Sequence, residues 1–225
     1  MKTTLLIIIA ILFASCIKEP LTRSSKFVME LPDTSLTHEP DIFYEVKKIA
    51  ANELNLNLLE NGAEPFELRL WTKMEVTNGG QVLIIKKINN QWTCVDYRYL
   101  ETYTPVKDQK SIVDFVTNFS IDTVWIKKKQ PKSGWRNFFT AIHKNKIMDL
   151  PVQSQIPGWV NHVTDGYTFY VEYATSNRYK FYWYNTPYVY EDDFSECRYM
   201  NNIIFLFNKE FGLMLPGYYK FHYKD

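Results

Sequence analysis

The sequence predicts an α+β fold in which antiparallel strands pack against about four helices, the last of them amphipathic and C-terminal. Two observations predict it. Stretches of alternating apolar and polar residues are separated by turn signals, which indicates local hairpins. Helical spacings fall between these stretches without the regular strand–helix–strand alternation of a parallel sheet. Hydrophobic residues make up 46% and charged residues 23% of the chain, which is ordinary for a globular protein.

The first residues predict a secretory signal peptide over residues 1–15. Lys2 supplies the positive start, and Leu5–Ala14 is an unbroken apolar run that leads through small residues to Cys16. Such a run is too short and wrongly flanked for a membrane-spanning helix. The residues that follow suffice for one large domain or two small ones.

Residues 16–39 are expected to form a tether ahead of a single domain over residues 40–225. Prolines, serines, threonines and scattered charges dominate the tether, although residues 27–31 can pair as an edge strand. Apolar residues then recur at helical spacing and predict a helix over residues 41–60. The Asn61-Gly62 pair is a typical helix stop.

The rest of the domain alternates between strand and helix patterns. Alternation and intervening turn residues predict three consecutive strands and, later in the chain, a second hairpin. Ser133 is the expected cap of one helix, Asp192, Asp193 or Ser195 that of the last, and Gly212 is its expected stop. In chain order the predicted elements are strands at residues 66–76, 81–88 and 91–103, a helix at 111–119, a strand at 121–128, a helix at 135–150, hairpin strands at 167–174 and 178–184, a helix at 192–211 and a last strand at 213–223.

Motifs of catalysis and of cofactor binding are missing from the sequence. It contains no H-E-x-x-H, no C-x-x-C, no G-x-S-x-G and no glycine-rich phosphate loop. A formal charge of +1 is also unsuited to nucleic acid, which needs a basic surface. We therefore expect no metal, no cofactor and no nucleic-acid partner. A hydrolase that assembles dispersed carboxylates, or a His–Asp pair such as His162 and Asp165, remains open as an alternative.

Cys94 and Cys197 allow one disulfide or two separate thiols. An exported protein meets an oxidising space, where a bridge persists. A disulfide that closes the long loop between Cys94 and Cys197 would stabilise the fold by about 4–5 kcal/mol in the chain-entropy model. A free cysteine instead packs as a small hydrophobic residue. The sequence does not decide between these two arrangements.

Residues 179–190 form the most aromatic segment of the chain. A strand shows alternate residues to opposite faces, so Tyr182 and Tyr184 share one face. With Tyr188 and Tyr190 they are candidates for stacking on sugar rings or anchoring a protein partner. Aromatic residues are also good strand formers that stabilise cross-strand pairs inside a fold. The sequence favours this packing role over binding.

Two charge clusters stand out. Lys127, Lys128 and Lys129, with Lys132 nearby, form the densest basic cluster, which indicates a solvated strand end and turn or, as a minor alternative, an anion site. Residues 191–193 form the densest acidic cluster, and the dipole of the following helix explains them as its N-terminal cap.

Residues 13–16, Phe-Ala-Ser-Cys, resemble a bacterial lipobox with Phe13 in place of the usual leucine. The hairpin segments 165–172 and 177–187, with the terminal helix, are similar to the C-terminal part of uncharacterised lipoproteins of Bacteroidota. These resemblances imply cleavage before Cys16, its diacylation, and an outer-membrane location facing the periplasm or the cell exterior. We therefore expect a lipid-anchored envelope protein that binds an envelope protein or glycan without catalysing a reaction.

Overall fold

A computed structural model describes residues 26–35, 41–74, 78–104, 117–160 and 166–215. The expected signal peptide, Cys16 and most of the expected tether lie outside these residues. Within them the chain forms seven strands and three α-helices. In chain order these are β1 (Val28–Glu30), α1 (Ile42–Glu53), β2 (Phe66–Met74), β3 (Gly79–Ile88), β4 (Gln91–Tyr103), β5 (Phe119–Lys129), α2 (Trp135–Lys144), β6 (Tyr167–Thr175), β7 (Arg178–Asn185) and α3 (Ser195–Phe211).

All seven strands belong to one sheet with the order β1-β7-β6-β2-β3-β4-β5. Neighbouring strands are antiparallel except for β1, which runs parallel to β7. The predicted combination of helices with a largely antiparallel sheet is therefore confirmed in outline. The two predicted strand groups are not separate, because β2 pairs with β6 from Phe66 to Met74.

Helix α1 is shorter than the predicted helix over residues 41–60. It begins after Asp41, whose side chain accepts a hydrogen bond from the Tyr44 N–H at 2.9 Å and caps the first turn. It ends at Glu53, because Asn55 adopts a φ of 53°, outside the right-handed helical region. A 3-10 turn at Leu59–Asn61 follows the helix after a gap.

The other helices also differ from their predicted bounds. Helix α2 ends at Lys144, and its N-cap is Gly134; the Ser133 N–H instead donates to Glu210. Helix α3 has Phe194 as its N-cap rather than one of the predicted side-chain caps. Its predicted stop is confirmed, since Gly212 adopts a φ of 77°. The predicted helix at residues 111–119 and the last strand at 213–223 lie mostly outside the described residues.

The sheet buries apolar side chains on both faces, because successive residues of a strand point to opposite sides. On the α2–α3 face, strand residues such as Leu83 and Ile85 pack with Phe138 of α2 and Phe207 of α3. On the α1 face, residues such as Val82 and Trp71 pack with the apolar side of α1. The strands at the two edges of the sheet, β1 and β5, each have a neighbouring strand on one side within the described residues.

Candidate functional site

The four tyrosines that the sequence offers for binding do not form a surface. The side chains of Tyr182 and Tyr184 are 0% exposed, Tyr190 is also buried, and Tyr188 is half-buried. The Tyr182 hydroxyl donates to the Ile147 carbonyl at 2.7 Å, and burial raises its pKa well above the ordinary value. Three of the four lie in the core on the α2–α3 face, an arrangement that agrees with the packing role that the sequence favours over binding.

The two cysteines among the described residues are free thiols. Cys94 and Cys197 are buried in the same apolar cluster on the α2–α3 face. Burial raises the pKa of each thiol to about 12, and the Asp96 carboxylate adds to this at Cys94. Of the two arrangements that the sequence allowed, the structure contains the packed thiols and not the bridge.

The described residues do not assemble a metal site. No group of three or more His, Cys, Asp and Glu side chains in this part of the chain is placed to hold a metal ion. In the same residues, none of the helices combines the length and the apolar character needed to cross a bilayer. The pair formed by His162 and Asp165 lies outside the described residues.

A network of buried charges, here called the Glu172 network, lies on the α1 face. Glu172 of β6 is 0% exposed. Its Oε1 accepts hydrogen bonds from the Arg69 guanidinium at 3.2 Å and the Trp71 Nε1–H at 3.1 Å. Its Oε2 accepts from the Tyr179 hydroxyl at 3.1 Å and lies 3.1 Å from the Lys47 ammonium. Two cations and two neutral donors therefore surround one carboxylate.

Glu60 completes this network at its outer side. Its Oε1 accepts from the Tyr44 hydroxyl at 2.8 Å and from Lys47 at 3.2 Å. Burial opposes ionisation of Glu60, but the charge of Lys47 and the hydrogen bonds outweigh it and lower the pKa of this carboxyl. Every charged group at the centre has an oppositely charged partner, as buried ions require. The Glu172 network is therefore part of the scaffold, closed to ligands by its burial.

A groove of about 590 Å³ opens on the α2–α3 face between β4, β5 and the end of α3. We call it the edge groove. The cross-strand pairs Arg98–Trp125 and Asp96–Lys127 line it, because residues directly opposite on paired strands share a face. The rest of its lining comes from Tyr99, Leu100, Ile126, Lys129 and Met214.

The floor of the edge groove is a polar network around Asp96. This buried carboxylate accepts from the Gln81 side chain at 2.7 Å. It also lies 3.3 Å from Arg98 Nε and 3.5 Å from Lys129 Nζ. Two cations thus share one carboxylate, and the groove also contains Lys127. Its lining is therefore positively charged.

The same cations hold the end of α3. The Lys129 ammonium donates to the Phe211 carbonyl at 2.9 Å, and Arg98 donates to the Gly212 carbonyl at 3.1 Å. Carbonyls at a helix C-terminus carry partial negative charge, so cations stabilise them. The Met214 N–H donates to Gln81 Oε1 at 2.7 Å and keeps the chain against β3. The groove wall is thus anchored to the sheet, while the Arg98 side chain stays 39% exposed.

Strand β5 forms the outer rim of the edge groove and the edge of the sheet. Trp125 is 54% and Ile126 is 62% exposed, and Lys127 and Lys128 are exposed beside them. A β-bulge at Asp122 interrupts the pairing with β4, so residues 123–129 form the regular part of this edge. Large apolar side chains on both faces of an edge strand, next to exposed lysines, form a surface suited to interaction.

The sequence contained a signal for this surface that alternation did not reveal. Val124, Trp125 and Ile126 are three consecutive apolar residues, so at least one must point away from any single apolar face. The lysines that follow them have two interpretations from the sequence, a solvated strand end and turn or, as a minor alternative, an anion site. Their exposure agrees with the first interpretation, and their place beside the groove leaves the second open.

Comparison with known proteins adds no assignment to this geometry: no family model, curated protein or solved structure matches the chain.

The free thiols lead to a prediction about reactivity and pH. In Cys16→Ala protein, neither remaining cysteine should react with a thiol reagent at pH 8 until the protein unfolds, when two should react. Both pKa values are raised in the folded state, so the stabilisation is complete below the ordinary thiol pKa of 9.0 and is lost as pH rises towards about 12. A variant that also carries Cys94→Ala and Cys197→Ala should lose less free energy of unfolding between pH 9 and pH 10. Absence of reactive thiols after unfolding without reductant would instead reveal a bridge.

The Glu172 network leads to a second prediction. Glu172→Gln removes the charge that compensates Lys47 and Arg69 in the interior, and should lower the free energy of unfolding by about 3 kcal/mol or more. The matched control is Glu45→Gln, which removes the partner of Lys48 in an exposed pair on α1. It should cost less than about 1 kcal/mol. Denaturant unfolding measures both, and equally small losses would show that the network does not stabilise the fold.

Proposed function

We propose that this chain is a lipid-anchored envelope protein whose domain is a non-catalytic binding module, and that it binds an extended segment of a partner protein at β5. The exposed edge strand beside the edge groove is the observation that carries the proposal. The lipid anchor on Cys16 and the outer-membrane location, facing the periplasm or the cell exterior, are parts of it. The proposal also includes a fourth helix over residues 111–119.

An edge strand binds extended polypeptides through its backbone. Its outward N–H and C=O groups pair with those of an added strand, while side chains on the two faces provide specificity. Proteins usually shield such an edge, by shortening it or by placing charges along it. Here the lysines shield only one end, and the exposed Trp125 and Ile126 stand in the middle. Aromatic and large aliphatic side chains of this kind are typical anchors of protein interfaces.

The sheet order supports the access of a partner to β5. Strand β1 is the described strand nearest in sequence to Cys16, and it lies at the opposite edge of the sheet. Six strand spacings separate the two edges, which amounts to about 29 Å at roughly 4.8 Å per spacing. An anchor at Cys16 would therefore join the chain on the side of β1, and β5 is the described strand farthest across the sheet from that attachment.

The hydrolase alternative finds less support in the same geometry. Hydrolysis by two carboxylates needs both of them to face one substrate. Asp96 is the one carboxylate among the described residues that line the edge groove. It already accepts a hydrogen bond from Gln81 and forms ion pairs with Arg98 and Lys129. The groove is consequently suited to holding a chain rather than to cleaving one.

The anchor is tested by labelling cells with radioactive palmitate. The native protein should incorporate label and remain with membranes, because two acyl chains suffice for stable attachment. Cys16→Ala should lose the label and leave the membrane fraction. Label that persists in Cys16→Ala protein would contradict the anchor while leaving the binding surface untested by that measurement.

The binding surface is tested by site-specific photocrosslinking in intact cells. A photoreactive amino acid in place of Ile126 should crosslink one specific protein, because this side chain lies at the centre of the exposed edge. The matched control places it at Lys144, an exposed residue of α2 away from the groove lining.

The crosslink at position 126 should decrease at least fivefold when Trp125→Ala removes the neighbouring anchor. The same products at both positions, or none at position 126, would contradict the proposed binding at β5.

A further inference from the structure

We infer that the segment bound at β5 is acidic, with two consecutive apolar residues beside two consecutive acidic residues. This inference rests on the proposed binding at β5 and names the chemistry of the partner. It follows from the order of side chains along β5, the edge strand among the described residues: Trp125, Ile126, Lys127 and Lys128 are all exposed.

The two lysines are the cations that remain available to a partner. Arg98 and Lys129 already bind Asp96 and the end of α3. Lys127 and Lys128, in contrast, form no ion pair with any carboxylate of the described chain. They point to opposite faces of β5, since they are adjacent residues of one strand. A partner strand therefore needs one acidic side chain on each face, which means two acidic residues in succession.

The apolar pair fixes where these acidic residues fall. Trp125 shares the groove face with Lys127, and Ile126 shares the α1 face with Lys128. Across a strand pair, directly opposite side chains interact most strongly, and opposite charges or apolar pairs are favourable. The complementary strand thus presents two apolar residues to Trp125 and Ile126 and two acidic residues to the lysines.

The charge of the edge also argues against a second copy of this chain as the occupant. Another β5 would bring the same three lysines, Lys127–Lys129, against a strand whose one acidic residue is Asp122. That carboxylate sits in the bulge and accepts a hydrogen bond from the Thr102 hydroxyl. Parallel self-pairing would therefore place like charges opposite one another. Antiparallel self-pairing about Trp125 and Ile126 would place residues 127–129 opposite residues 122–124, which leaves Lys127 and Lys128 without an acidic partner. An acidic segment neutralises both lysines.

Synthetic peptides test the inference with the full-length protein purified in detergent. Each fluorescent peptide carries a four-residue core between identical threonine flanks: Val-Val-Glu-Glu, its reverse Glu-Glu-Val-Val, the alternating Val-Glu-Val-Glu, and the neutral Val-Val-Gln-Gln. Either Val-Val-Glu-Glu or Glu-Glu-Val-Val should bind about five- to tenfold more tightly than the alternating core, which has the same charge and composition. Which of the two binds reveals the direction of the added strand. The neutral core should bind about tenfold more weakly, and added salt should reduce this difference.

Charge reversal provides the decisive control. The double variant Lys127→Glu and Lys128→Glu should lose affinity for the acidic cores about tenfold and should prefer a Val-Val-Lys-Lys core in either order. Lys144→Glu, which reverses an exposed charge on α2, should leave the preference unchanged. Unaltered thermal unfolding of both variants, and the milder Lys127→Gln, distinguish a change of specificity from a loss of folding.

Each remaining outcome overturns the inference in a recognisable way. Equal binding of acidic and neutral cores, abolished by Trp125→Ala, would remove the acidic preference and leave strand binding at β5 in place. A specific crosslink at position 126 without binding of any peptide would likewise reject the acidic preference and leave partner binding at β5 in place. Tight binding of polyphosphate in competition with the acidic cores would indicate a charge site without strand addition. Dimerisation that Ile126→Asp abolishes would identify the occupant as a second copy.

Discussion

The carboxylate of Glu172 is the point at which the parts of this fold meet. Around it lie Lys47 from α1, Arg69 and Trp71 from β2, and Tyr179 from β7. A buried charge is tolerated only when its partners satisfy it, so α1, β2 and β7 must keep their positions relative to β6, which carries Glu172. The register of β6 against β2 follows from this, because a slip by one residue would turn Glu172 towards the opposite, apolar face.

That central register explains how the two edges of the sheet come to differ. Pairing of β2 with β6 joins the hairpin of β6 and β7 to the strands from β2 to β5, which places β1 and β5 at opposite ends. The β1 edge is short, and Glu30 on it is paired with Arg178 and Lys180. The β5 edge is long and is stabilised from the side by α3, whose C-terminus is bound by Arg98 and Lys129. A rigid scaffold therefore supports the surface that we propose for binding.

Much of the secondary structure was predictable, whereas the position of the candidate surface was not. Strand β4 was predicted at its observed bounds, and Gly212 was predicted as the stop of α3, because alternation and glycine stops act locally. The aromatic segment of β7 was misleading, since helices from other parts of the chain cover Tyr182 and Tyr184. Trp125 carried no periodic signal, and it is exposed on β5, the last strand of the sheet in the part of the chain that the structure describes.

The sequence by itself determined which segments become strands and helices, together with the expectation of export and lipid attachment at Cys16. These properties depend on neighbouring residues, through turn chemistry, side-chain periodicity and a short N-terminal motif. Only the tertiary structure decided that Cys94 and Cys197 remain separate thiols, that the tyrosines of β7 are buried, and that β5 is an edge strand among the described residues. The physical reason is that burial and strand order depend on contacts between residues about a hundred positions apart, such as Arg69 and Glu172, which no local pattern encodes.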